Sequence, residues 1–221
     1  MIKSKYNKEV WNKFYKKSSK YIYWPSEEIF TFAEKYLGDL TDKNVLDIGC
    51  GAGRHLLMFD QKGCNTFGID SSEEAISTSK KFLKKWNVKS KLKLATSTSI
   101  PFKEDLFHIV ILWGIFHYLS PEDQLKTMNE VHRVSKDGAW VIFSLRSKND
   151  SRYKVGREIR KNTFLQDKLG KRGIIIEYWN KKEVENFFNL DNLMIGEKII
   201  APIGRYNIKS AHWILAGKIK K

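Results

Sequence analysis

Asp47-Ile48-Gly49-Cys50-Gly51-Ala52-Gly53-Arg54-His55 follows the apolar run Val45-Leu46 and precedes a helix-like segment that begins near Leu56. An acid at a strand end, then glycine on alternate positions, predicts a loop built for close approach to a ligand. Glycine lets the backbone turn sharply and puts no Cβ between its amides and a bound molecule. A dinucleotide-binding loop carries glycine at the first, third and sixth positions. Counted from Gly49, the sixth position is Arg54, and the last glycine falls at Gly53 instead. Asp47 also stands where a pyrophosphate finds no welcome. Such a loop alone leaves the choice of ligand open, and its surroundings decide it.

Outward from the loop, strands and helices alternate. Strands are expected over 43–48, 65–69, 92–95, 108–113, 140–145, 193–200 and 212–217, with helices near 56–62, 73–86, 121–134 and 181–188. That alternation implies right-handed crossovers and a mostly parallel sheet. The last two strands are close in sequence and are expected to form an antiparallel edge. Residues 146–173 are polar and irregular, and read as an insertion over the carboxyl ends of the strands, where open α/β sheets bind ligands. A solvated helical segment over 155–164 is the plainer expectation there. In the first forty residues, Val10, Trp11, Phe14 and Tyr15 share one helical face, as do Ile29, Phe32, Ala33, Tyr36 and Leu37. Between them Tyr21-Ile22-Tyr23-Trp24-Pro25-Ser26-Glu27 is an aromatic turn, with Ser26 as the expected N-cap.

Three further landmarks follow the loop. Phe67-Gly68-Ile69-Asp70 ends the next strand with an acid about twenty residues on, where a carboxylate can accept both ribose hydroxyls of a nucleoside. Asp70-Ser71-Ser72-Glu73 also opens a helix well, so an N-cap is the plainer alternative, and both roles can coexist across Asp70 and Ser71. Next comes Ala95-Thr96-Ser97-Thr98-Ser99-Ile100-Pro101-Phe102, then Phe107-His108-Ile109-Val110-Ile111-Leu112. The last is Leu112-Trp113-Gly114-Ile115-Phe116-His117-Tyr118-Leu119, before a helix and turn that lead into the fifth strand.

In this order and spacing, residues 47–145 resemble the class I S-adenosylmethionine-dependent methyltransferases. The resemblance covers nearly half of the chain directly. It implies an α/β, Rossmann-like three-layer sandwich: a seven-stranded, mostly parallel sheet with an antiparallel C-terminal edge and an N-terminal helical cap. It implies one methyltransferase domain over 1–221, with a helical lid at 1–40, a cofactor-binding half at 41–145 and a substrate-side half at 146–221. The implied cofactor is S-adenosylmethionine, with S-adenosylhomocysteine as product. Its expected contacts are Asp47, Gly49, Cys50, Gly51, Gly53, Arg54, His55, Asp70, Ser71, Thr96, Ser97, Leu112 and Trp113. Thr96 stands where the family usually has an acid on adenine's amino group, and His108 where a second acid is common. The Ser97 amide is an equal alternative for the adenine contact.

The resemblance also turns His117 toward the reaction chamber, where neutral imidazole is the candidate general base for a hydroxyl acceptor; the alternative is that His117 only shapes the pocket or bonds a backbone carbonyl. Tyr21, Tyr23 and Trp24 are the expected aromatic lid. Arg146, Arg152, Arg157, Arg160, Asn162 and Thr163 lie in the polar insertion, where arginine suits a carboxylate or phosphate on the acceptor. Arg146, Asn162, Glu177 and His212, with Tyr23 and Trp24, form the expected substrate side.

Composition bounds the rest. A chain of 221 residues suits one α/β domain with a real core. No apolar stretch has membrane-spanning length, and Met1-Ile2-Lys3-Ser4-Lys5-Tyr6 lacks a secretory apolar region. Cys50 and Cys64 show no metal-ligand spacing, so no metal and a reducing, cytoplasmic setting are expected. The net charge of +15 fits a nucleic-acid partner, but its lysines are scattered and read first as solvated faces. The Asn/Asp-Pro-Pro-aromatic tetrapeptide of base-amine methyltransferases is replaced by Trp113-Gly114-Ile115-Phe116. There is no cysteine beside a proline, no carboxylate cluster after the fourth strand, and no appended zinc or RNA-binding module. The expected reaction is therefore in-line methyl transfer to a small molecule, with oxygen slightly ahead of nitrogen. An RNA methyltransferase using the basic surface is the alternative, and a non-catalytic cofactor-binding regulator a second. The residues specify neither the acceptor nor the oligomeric state.

Overall fold

A computed structural model describes residues 5–17, 23–166, 173–200 and 209–221. In chain order, α1 (Lys5–Lys17) and α2 (Glu27–Tyr36) precede β1 (Asn44–Ile48), α3 (Arg54–Asp60), β2 (Asn65–Asp70), α4 (Glu73–Lys85), β3 (Lys91–Leu94) and β4 (Phe107–Trp113). A short 3-10 turn (Phe116–Tyr118) and α5 (Pro121–Val134) lead into the long β5 (Ser135–Ser147). Three strands follow, β6 (Arg157–Arg160), β7 (Thr163–Gln166) and β8 (Ile174–Trp179), then α6 (Lys181–Phe187), β9 (Asp191–Ile200) and β10 (Ser210–Lys218).

The helix ends follow ordinary capping chemistry. Ser72 caps α4 by accepting from the Ala75 amide at 3.2 Å, and Ser120 caps α5 by accepting from the Asp123 amide at 3.2 Å. Glu73 and Glu74 in the first turn of α4, and Lys84 and Lys85 in its last, complement the helix dipole. The α4 cap is thus Ser72, rather than the expected Asp70 or Ser71, which leaves the Asp70 side chain for other work. Ser26 does occupy the N-cap position of α2, but its side chain makes no capping bond and turns to Glu28.

The seven expected strands form one sheet in the order β3-β2-β1-β4-β5-β10-β9. Within it only β10 runs against its neighbours, pairing antiparallel with both β5 and β9. Alternation along β4 divides the core into two layers. Val110 and Leu112 join Phe116 and Phe143 on one face, while Ile109 and Ile111 join Ile29, Phe59 and Ile142 on the other. Helices thus cover both faces of the sheet, which is why its central strands are apolar on both sides.

The insertion differs from expectation. Residues 157–166 form the antiparallel strands β6 and β7, not a helix, and Asn162 makes their turn with φ +59°. Asn is among the few residues that adopt this conformation readily. The buried run Ile174-Ile175-Ile176 then makes β8, which pairs with β7. β8 also joins the end of β5 in parallel, Arg146 with Tyr178 and Ser147 with Trp179. Because β10 already holds the other edge of β5 at Arg146, β8 takes the edge that β4 leaves free after Trp113. The three extra strands therefore extend the sheet just beyond the carboxyl end of β4.

Helix α1 is fastened by one buried side chain. Asn7 donates from Nδ2 to the Tyr118 and Ile175 carbonyls at 2.8 and 3.0 Å, and accepts from the Ile175 amide at 2.9 Å. Asn7→Ala removes all three bonds and strands buried backbone groups, so it should cost about 1–3 kcal/mol in urea unfolding. An unchanged unfolding midpoint would contradict this docking of α1.

Candidate functional site

The order of strands reverses at β1, which has β2 on one side and β4 on the other. A crevice opens at the carboxyl ends of the two strands flanking such a switch point. Here it becomes a cavity of about 770 Å³ over the ends of β1, β2, β4, β5 and β10, walled on one side by α1.

The glycine loop forms its floor. Gly49, Gly51 and Gly53 all have positive φ, from +56° to +87°. Each also makes room for another part of the protein. A Cβ at Gly49 would lie 2.3 Å from Ile115, one at Gly51 would lie 2.4 Å from the Tyr15 hydroxyl, and one at Gly53 would lie 2.4 Å from Ser79 of α4. The spacing therefore packs the loop against the segment after β4, against α1 and against α4 in turn. The Gly49 and Cys50 amides both donate to the Ile69 carbonyl, at 2.8 and 3.0 Å.

Asp70 completes the tie between loop and β2. It accepts from the Gly51 amide at 3.0 Å through Oδ2 and from the Ser72 amide at 2.9 Å through Oδ1. Each oxygen keeps acceptor capacity beyond these bonds. Burial pushes the Asp70 carboxyl up from 3.8 to about 6, more than the two amides draw it down, and the negative charge of Asp47 adds to the rise. Below the loop, Asp47 Oδ2 lies 3.4 Å from His55 Nδ1, while His55 Nε2 accepts from the Ser26 amide at 3.4 Å. Burial depresses His55 more than Asp47 raises it, so the ring stays neutral at pH 7.

The other end of the cavity is basic and partly apolar. Arg146 ends β5 beside His212 of β10, and both line the cavity with Trp113, Ser144, Ile200 and Ile214. Asp150, with its carboxylate fully buried, bridges Arg146 at 3.0 Å and Arg152 at 2.7 Å. His212 is driven down to about 3 by burial and by Arg146. Glu28 and Lys198 pair across the same wall. Burial works against the Glu28 charge, but its bonds to Lys198 and Ser26 hold its carboxyl below the ordinary value.

Of the residues expected at the cofactor, Gly49, Cys50, Gly51, Arg54, His55, Asp70, Ser71, Thr96, Ser97 and Trp113 line the cavity. Asp47, Gly53 and Leu112 do not. Asp47 lies beneath the loop, Gly53 packs on α4, and Leu112 belongs to the core. On the expected substrate side Arg146 and His212 line the cavity, whereas Tyr23, Trp24, Asn162 and Glu177 do not. Tyr23 stacks on Phe82 at 4.6 Å, and Trp24 is 83% exposed. Asn162 bonds to Tyr153 and Glu183, and Glu177 to Gln124. Tyr21 lies outside the described residues.

His117 does not line the cavity either. The 3-10 turn buries it against Tyr118, with ring centroids 4.2 Å apart, and Tyr118 and Leu119 reach the cavity instead. His108 sits at the opposite end of β4, where it accepts from the Asn44 amide. The walls supplied by Trp11, Tyr15, Glu28 and Lys198 were not expected, because they come from segments distant in sequence with no local spacing to mark them. Among the described residues no helix is long and apolar enough to cross a membrane, and no cluster of His, Cys, Asp and Glu could hold a metal.

Residues 45–138 match a family described as a methyltransferase domain. An uncharacterized methyltransferase of Bacillus subtilis, YcgJ, is 32% identical over 103 residues, 46% of this chain and 40% of its own. A ubiquinone biosynthesis O-methyltransferase of Nitrosomonas europaea is 24% identical, covering 55% of this chain and 52% of its own. A tRNA N(3)-methylcytidine methyltransferase of Schizosaccharomyces pombe is 27% identical, covering 60% and 47%. The matched stretch thus spans about half the length of these curated relatives. Among solved structures, a SAM-dependent methyltransferase of Methanosarcina mazei superposes with a TM-score of 0.70 at 23% identity, over 90% of this chain and all of its own. A 1,6-didemethyltoxoflavin-N1-methyltransferase of Burkholderia thailandensis, solved with S-adenosylhomocysteine, gives 0.67 at 13% identity, over 88% and 78%.

The raised Asp70 value carries a definite sign. Ionised Asp70 costs folding stability; the cost is absent below its unfolded value near 3.8 and complete above about 6. Carboxyl-carbon NMR of the ligand-free protein should find Asp70 titrating near 6. A midpoint at the ordinary aspartate value would contradict its burial.

Proposed function

We propose, for a chain that belongs to the class I S-adenosylmethionine-dependent methyltransferases, that it transfers a methyl group from S-adenosylmethionine to a small-molecule acceptor, an oxygen nucleophile before a nitrogen one. The observation that carries this reading is the joining, in one cavity, of a carboxylate-bearing glycine-loop end and a separate basic, apolar end. S-adenosylmethionine needs acceptors for two ribose hydroxyls and negative groups near its ammonium and sulfonium. Asp70 has unused acceptor capacity on both oxygens, with Asp47 close beneath the loop, so the residues present fit it. The volume also lies in the usual range for ligand pockets, about 300–1,000 Å³.

When bound, the cofactor supplies an electrophilic methyl on a sulfonium that is already a good leaving group. The chain's own task is then alignment and exclusion of water. In this proposal Asp70 holds the ribose, Thr96 and Ser97 take the adenine, and Arg54 takes the methionyl carboxylate. The acceptor enters beside Trp113, Ser144, Arg146 and His212. His117 is assigned no proton transfer, because it does not line the cavity. The preference for a small acceptor draws on the relative named for ubiquinone biosynthesis and the structural neighbour named for toxoflavin.

Calorimetry with S-adenosylhomocysteine on the full chain tests the cofactor reading. Saturable binding is expected, weakened at least about tenfold in Asp70→Ala, which loses charge-assisted bonds to the ribose. Because the ionised carboxylate is the better acceptor, affinity should fall as pH drops through about 6 and level off above it. No binding by folded protein, or an Asp70→Ala variant with unaltered affinity, would refute the proposal.

A second reading, methylation of RNA, has its own support. From Ala75 to Lys103 there is no Asp or Glu, while Lys80, Lys81, Lys84, Lys85, Lys89, Lys91, Lys93 and Lys103 are all exposed around the edge strand β3. Trp86 stands exposed among them, and one relative is named for tRNA. Lysines on an edge strand also guard against strand-to-strand aggregation, which favours the first reading. Titration with tRNA at increasing salt separates the two. Steeply salt-dependent, saturable binding supports RNA, and weak binding that does not saturate supports the small molecule.

A further inference from the structure

The Arg146 guanidinium has one edge occupied and one edge open. Its Nη1 donates to Asp150 Oδ2 at 3.0 Å and Ser210 Oγ at 3.1 Å, and lies 2.8 Å from His212 Nε2. Its Nε is buried with no partner, and Nη2 makes no hydrogen bond to any described residue. Nε and Nη2 share the side-on face of the guanidinium, a fork that matches the two oxygens of a carboxylate. Two other arginines of this protein use that fork in that way. Arg152 holds Asp150 through Nε at 2.8 Å and Nη2 at 2.7 Å. Arg133 holds Glu130 through Nε at 2.7 Å and Nη2 at 2.8 Å.

Charge leads to the same conclusion. Asp150 is the one carboxylate between Arg146 and Arg152, which leaves one positive charge over. Nearby, Lys198 pairs with Glu28 and lies 3.9 Å from Glu27, whose exposed carboxylate stays in solvent, and the adjacent His212 is neutral. A buried, unmatched positive charge is costly unless an anion joins it. The side chain of Arg146 is only 11% exposed yet lines the cavity, so the anion must come through the cavity itself. On the neighbouring strands Trp113, Ile200 and Ile214 offer apolar lining.

We infer that Arg146 receives the carboxylate of the acceptor through its Nε and Nη2 edge, and that the acceptor is a singly charged carboxylic acid with an apolar body. The word acceptor rests on the methyl-transfer reading; the anion site does not. The methionyl carboxylate of the cofactor is the rival occupant. Arg54 is better placed for it, since it opens α3 directly after the glycine loop, and among the described residues its guanidinium donates only to the Trp24 carbonyl, at 3.3 Å. Asp150 and Ser210 are positioning residues that turn the open edge toward the cavity.

Ligand-detected NMR titration of the full chain tests this, with benzoate, its uncharged amide benzamide, and phenyl phosphate as probes, with and without S-adenosylhomocysteine. Wild-type protein should bind benzoate at least about tenfold more tightly than benzamide, as a charge-assisted pair requires. Arg146→Gln should erase that preference while leaving S-adenosylhomocysteine affinity within about threefold of wild type; Arg146→Lys, which keeps charge but not the fork, should retain part of it. Should Arg146→Gln fail to fold, the benzoate-to-benzamide comparison on wild type decides alone. Equal binding of the two probes, a preference that survives Arg146→Gln, or a preference for phenyl phosphate overturns the inference. So does a fall in S-adenosylhomocysteine affinity with benzoate binding unaltered, which gives Arg146 to the cofactor. If benzoate is preferred but S-adenosylhomocysteine never binds, the anion site stands and the methyl-transfer reading falls.

Discussion

Asp70 is held at the end of β2 by the amides of Gly51 and Ser72, and through those bonds it joins the glycine loop, β2 and the start of α4. The carboxylate is half-buried at the cavity wall, and loss of hydration there raises its titration above the ordinary aspartate value. The loop cannot relax away, because Gly49, Gly51 and Gly53 each fit against a different neighbour. Ser72, not Asp70, caps α4, so capping does not use up the acceptor capacity of Asp70. A desolvated acceptor of this kind is costly to the folded protein and suits the hydroxyls of the proposed nucleoside. The rest of the proposed site is arranged about it.

The cavity has two ends with opposite electrostatics. Carboxylates dominate where the loop meets β2, and suit a cationic donor. Arg146 and Lys198 mark the far end, where Arg146 shares the single buried carboxylate of Asp150 with Arg152. The three strands β6, β7 and β8 hold this second end in place. By adding to the edge of β5 beyond β4, β8 seats the last residues of β5 in a sheet instead of a loose loop. Asn7 ties α1 to the same strand, so the wall over the loop and the platform beside Arg146 are mechanically connected.

Much of this was legible in the chain. β1, β2, β4, β5 and β10 carry apolar runs that a sheet covered on both faces requires, and the helix expected near 121–134 is α5. The glycine loop and Asp70 were readable because their chemistry is local. The insertion was not, because charged residues in 157–166 hide a two-residue alternation, and its turn depends on one left-handed asparagine. His117 lies in a 3-10 turn, where successive residues rotate about 120°, so His117 faces the core while Tyr118 lines the cavity. Trp11, Tyr15, Glu28 and Lys198 reach the cavity only through tertiary packing, which no spacing records.

A crystal structure of the full chain with S-adenosylhomocysteine tests the central claim most directly. The account predicts both ribose hydroxyls on Asp70, the methionyl end over Gly49–Gly51, and the sulfur facing the space between Trp113, Ser144 and Arg146. A ribose held elsewhere, or a sulfur turned away from Arg146, would contradict it.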